Sequence, residues 1–69
     1  MRVVDEVAIN AGGRTTTTLW LDEDMPNIVF KYAIVGGSRY EAFPTMGMNW
    51  RTIDVRGGGE FVGKEVSFE

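Results

Sequence analysis

Clusters of Gly, Pro, Asn and Asp interrupt this chain so regularly that what remains between them is about six short runs, each the length of a β-strand. The first run, residues 2–9, puts Val3, Val7 and Ile9 on one parity and Val4, Glu6 and Ala8 on the other. Asn10-Ala11-Gly12-Gly13 then reads as a hairpin loop, because Asn and Gly accept positive φ. The second run, residues 14–21, joins consecutive Thr residues to Leu19-Trp20-Leu21, all β-branched or bulky. It carries no charge from Thr15 to Leu21, so it belongs in the middle of a sheet or under a partner.

After the acidic turn Asp22-Glu23-Asp24-Met25-Pro26-Asn27, residues 28–35 place Ile28, Phe30, Tyr32 and Ile34 on one face. A helix competes here, with Asp24 as cap, Pro26 in the first turn and Gly36-Gly37 as stop; the β-branched content favours a strand. Gly36-Gly37-Ser38 reverses the chain into a fourth run over 39–43. Residues 49–55 and 61–68 flank 56–60 as an expected final hairpin. In the fifth run Trp50 lies on one parity and Ile53 and Val55 on the other, which calls for a bulge or a tightly wrapped sheet. The expectation is a single all-β domain over 1–69, a small antiparallel barrel or two-sheet roll of five to six short strands joined by hairpins.

Chemistry is constrained by what is missing. The 69 residues include no His and no Cys, which removes the neutral-pH imidazole base, the thiolate nucleophile, the disulfide and the soft metal site. With 43% hydrophobic residues the chain has enough apolar matter to fold without such staples, or else to dimerise. Asp5 and Glu6 interrupt the opening where a signal peptide needs an apolar stretch, and no run approaches a membrane span. A soluble, cytoplasmic protein is expected, in the host cytoplasm if the source is viral.

Motifs that suggest chemistry fail on detail. Residues 58–65 fit the spacing GxxxxGK, but Glu65 stands where a phosphate loop needs Ser or Thr, and too little chain follows for the helix. Asp22, Asp24 and Asn27 offer oxygen donors, yet Pro26 falls where a calcium loop needs another ligand. Asp5 and Glu6 point to opposite faces of a strand and make no catalytic pair, and neither Ser38 nor Ser67 has an activating base. No enzyme activity, metal or cofactor is expected.

The informative segment is Phe43-Pro44-Thr45-Met46-Gly47-Met48-Asn49-Trp50-Arg51, a connection that carries Phe, Met and Trp where polar residues are usual. It either plugs an open end of the barrel or stands out as a recognition loop, Met supplying adaptable contact and Trp and Arg the hot-spot types. Read as a binding site, it comprises Phe43, Met46, Met48, Trp50 and Arg51, with Asp22, Glu23 and Asp24 as a charged contact. The expected function is a protein-binding module that blocks or bridges a protein partner sterically. Its size and lack of chemistry suit a phage or mobile-element inhibitor of a host defence complex. Two alternatives remain: a structural subunit or obligate homodimer, paired through an apolar strand edge or that loop, and a nucleic-acid-binding β domain. The net charge of −3 opposes the last.

Overall fold

A computed structural model describes residues 1–45 and 50–69, and among these every regular element is a strand. The strands are β1 (Val3–Ala11), β2 (Arg14–Leu21), β3 (Tyr32–Val35), β4 (Ser38–Pro44), β5 (Thr52–Arg56) and β6 (Val66–Phe68). They form one antiparallel sheet in the order β1-β2-β5-β4-β3-β6. The all-β expectation holds, with β2 interior as its uncharged surface requires. The sheet is not closed into a barrel. Its outer strands approach through the isolated bridge Arg2↔Glu65, with Val3 N–H on the Lys64 carbonyl (3.1 Å) and Val66 N–H on the Met1 carbonyl (2.8 Å).

Two hairpins are as short as a hairpin can be. Ala11 pairs with Arg14 around Gly12-Gly13, and Val35 with Ser38 around Gly36-Gly37. Gly12 and Gly13 have φ of 59° and 76°, the left-handed pair that matches a two-residue turn to the twist of its strands.

Three expectations are corrected. First, residues 61–68 do not form a hairpin with β5. β6 pairs with β3, and residues 57–65 cross the sheet to reach it. Phe61, in that crossing, is buried at 1% exposure and meets Tyr40 edge-on at 5.2 Å. A loop that carries the core's largest fully buried side chain is a strap, not a solvated turn. Gly57 lets the strap lie close: its φ is 131°, and a Cβ there would sit 3.3 Å from the Tyr40 ring.

Second, the third strand begins at Tyr32 and not at residue 28, and its inward side chains are Ala33 and Val35. The large Tyr32 and Ile34 lie on the outer face, half-buried, because alternation along the strand turns them away from the face that Ala33 and Val35 share.

Third, Val7 and Ile9 do not share the core with Val3. The register jumps from Val3↔Leu21 to Asp5↔Trp20, so Val4 is a bulge that reverses the parity of β1. Val3 is buried, whereas Val7 and Ile9 are 49% and 58% exposed.

The core draws on every strand: Val3, Leu19, Leu21, Ala33, Val35, Ala42, Ile53, Val55 and Val66, capped by Phe61. The fifth strand starts at Thr52, so Trp50 precedes it and is exposed while Ile53 and Val55 are buried; the bulk on both parities of the fifth run reflects neither a bulge nor a second buried face of large residues. Thr17 is also buried, and its hydroxyl donates to the Gly57 carbonyl at 2.7 Å, tying the strap to β2.

Candidate docking surface

The acidic turn leaves β2 and is fastened on both sides. Arg2 N–H donates to Asp22 Oδ1 at 2.8 Å and Asp22 N–H to the Arg2 carbonyl at 3.0 Å, which fixes the first residue of the turn against the start of the chain. On the other side Leu21 N–H bonds the Arg51 carbonyl (2.7 Å) and Met25 N–H the Trp50 carbonyl (2.8 Å). Arg51 Nε lies 2.9 Å from Asp24 Oδ1. Being exposed, that pair stabilises by only about 0.2–1 kcal/mol, so position is set mainly by the backbone bonds. Their effect is to hold Trp50, 64% exposed, on an anchored main chain.

Phe43 stands nearby in the topology. The last paired residues of β4 and β5 are Pro44↔Ile53, so Phe43 and Pro44 lie at the C-terminal end of β4, beside the start of β5. Phe43 faces outward beside Asp54 and is 42% exposed, with the Arg56 guanidinium 5.2 Å above its ring. Arg56 also pairs with Glu41 at 3.5 Å, and Thr18 donates to Asp54 at 2.6 Å. On the β3 side of Phe43 runs a cleft of about 340 Å³, walled by Phe30, Tyr32, Phe43 and Pro44 with Lys31 and Glu41 among its polar lining.

Of the residues expected to bind a partner, Asp24, Trp50 and Arg51 come together, with exposed Asp22 and Glu23 in the same turn and Phe43 on the neighbouring strand end. Met46 and Met48 lie outside the described residues. Trp50 is not core. The cleft beside Phe43 was not foreseen, since Phe30 and Tyr32 read as one face of a strand. Their separation from Phe43 along the chain hides that β3 and β4 bring them together.

Most carboxylates are occupied by structure. Glu65 pairs with Arg2 (2.8 Å), Glu69 with Arg39 (3.6 Å), and Glu6 accepts from Phe61 N–H (3.1 Å). Among the described residues no three acidic side chains converge as a metal cage. No helix among them is long and apolar enough to cross a membrane. Comparison of the chain with protein-family models, with curated proteins and with solved structures found no match.

Proposed function

We propose that this chain is a non-catalytic protein-binding module that docks through the end of its β4–β5 hairpin and acts sterically, blocking or bridging its partner. The observation that carries the reading is Trp50. A tryptophan left 64% exposed, its own carbonyl bonded by Met25 N–H and that of the next residue by Leu21 N–H, is an anchor whose main chain loses little freedom on binding. Phe43 and the cleft beside it supply further apolar area, and Arg51 with Asp22, Glu23 and Asp24 supply charge at the rim. The scaffold in this reading is a small roll, its two outer strands drawn together at the Arg2↔Glu65 bridge. Steric action without a cofactor is the reading favoured for a chain with neither His nor Cys, most of whose acidic groups are engaged in ion pairs and hydrogen bonds.

Immobilised protein passed over lysate of its host, with and without nuclease, tests the proposal when a Trp50→Ala column runs in parallel. A stoichiometric protein retained after nuclease and lost on the Trp50→Ala column is the expected result. Retention of nuclease-sensitive material alone would move the function to nucleic acid, and retention unaffected by Trp50→Ala would move the interface elsewhere.

A further inference from the structure

The outer edge of β1 is covered for its first residues only. Val3 N–H bonds the Lys64 carbonyl and the Val3 carbonyl accepts from Gly63 N–H (2.8 Å), but the covering segment ends there, just before the Val4 bulge. Beyond it the backbone of residues 5–11 ladders with β2; the half-buried Glu6 carboxylate reaches inward to accept from Phe61 N–H on the strap (3.1 Å), and none of the seven belongs to the buried core.

Which groups face outward follows from the ladder on the far side of β2. Leu21 N–H and the Thr15 carbonyl bond toward β5 and its extension, so Thr16, Thr18 and Trp20 bond toward β1. Their partners Ile9, Val7 and Asp5 therefore bond inward, and Glu6, Ala8 and Asn10 present N–H and C=O to the open edge. Glu6 N–H agrees: it donates to Asp5 Oδ1 at 2.8 Å, a local substitute for an absent strand. No Lys, Arg or Pro occurs in residues 5–11, and what guards the edge, the Val4 bulge and the charges of Asp5 and Glu6, is confined to its beginning and leaves Val7 to Ala11 open.

The sequence of this edge is complementary to itself. A two-fold axis at Ala8 puts Ala8 against Ala8 of a second copy and Glu6 against Asn10, all with groups that face the partner. It puts Val7 directly against Ile9 in the close, non-hydrogen-bonded pairs where side chains touch best. The same axis sets Asp5 against Ala11, so no acidic residue meets another. Moving the axis by one residue to Val7 would set Asp5 against Ile9, a carboxylate opposite an apolar side chain, and lose both Val7–Ile9 pairs.

From this register we propose that β1 is a homodimerisation edge: two copies pair antiparallel about Ala8 and continue the sheet across the molecular two-fold. The inference stands apart from the docking surface, which lies at the β4–β5 end.

Sedimentation equilibrium of the purified chain from about 10 µM to 1 mM, a range suited to a small interface, tests it together with concentration-dependent amide exchange. The mass is expected to rise from monomer to dimer, with exchange of the Glu6, Ala8 and Asn10 amides slowing as it does. Ile9→Lys, at a side chain 58% exposed in the monomer, is expected to raise the half-dimer concentration by about tenfold or more, since it removes both symmetric apolar pairs. Val62→Lys, on the strap, is expected to leave it unchanged. A chain monomeric throughout, a dimer indifferent to Ile9→Lys, equal loss in Val62→Lys, or a dimer whose three outward amides stay unprotected would each overturn the proposal. Should Ile9→Lys fold poorly, a synthetic chain N-methylated at Ala8 removes the central donor alone and carries the same expectation.

Discussion

Phe61 and Trp50 show how little an aromatic residue's identity says about its task. Phe61 sits on a crossing segment yet is 1% exposed and closes the core against Tyr40, while Trp50 borders a strand and stands in solvent. Removing the Phe61 ring leaves a cavity that a strap pinned by Gly57 and the Thr17 hydroxyl cannot collapse to fill. Phe61→Ala is therefore expected to cost about 3–5 kcal/mol, a large part of what so small a domain has. Trp50→Ala is expected to stay within about 0.5 kcal/mol of wild type, because the bonds that hold this segment, from Met25 N–H to the Trp50 carbonyl and from Leu21 N–H to the Arg51 carbonyl, are made by backbone. Urea titrations of the two variants, followed by fluorescence of the remaining Trp20 for Trp50→Ala and by circular dichroism for Phe61→Ala, measure both. Comparable losses would mean that Trp50 is packed and not presented.

At the scale of the element, turns and bulges decide more than strand propensity does. Gly12 has φ of 59° and nothing within 4 Å of where a Cβ would be, so substitution there reads backbone strain with no steric term. Gly12→Val is expected to cost about 1–2 kcal/mol, and Gly12→Asn a few tenths at most, since Asn-Gly suits this turn. Equal midpoints for the two in denaturant would mean that the hairpin tip is not in the left-handed region. The turn was legible because Gly clusters have a steric cause that acts locally, and the bounds of β2 were legible for the same reason. The parity of β1 was not. Adjacent Val3 and Val4 allow either residue to face inward, and the bulge that chooses Val3 is set by pairing with β2 and by cover from Lys64. Nor was the outward orientation of Tyr32 and Ile34, for alternation separates two faces without naming the one that meets the core. The docking residues fare similarly: Trp50 and Asp24 were visible as types, but the bonds that join their two segments belong to the fold.

For the molecule as a whole, the sheet order separates a closely held body from a projecting wing. β5 lies between β2 and β4 although its neighbour in the chain on the other side, β6, pairs two strands away, and strand order of that kind has no local signature in sequence. The body gathers Leu19, Leu21, Ile53 and Val55 at its centre and is locked by the strap, so opening β2 from β5 exposes core from several strands at once. The wing is residues 5–14 of the β1–β2 hairpin, where β1 past its bulge holds to β2 by ladder bonds with little burial. Local opening needs least free energy where least apolar surface is uncovered. In amide exchange below the dimerisation range, Val7, Ile9 and Ala11, which bond toward β2, are thus expected to exchange by local fraying well ahead of Leu19, Ile53 and Val55. Those central amides should wait for global unfolding, their rates falling together with denaturant as unfolding itself does. Ile9→Lys should leave the central rates alone while moving any dependence of the wing on concentration to about tenfold higher concentration or beyond. Uniform protection across both groups in the monomer would mean that residues 5–11 share the cooperative core, and an edge so firmly held would still need its outward amides explained.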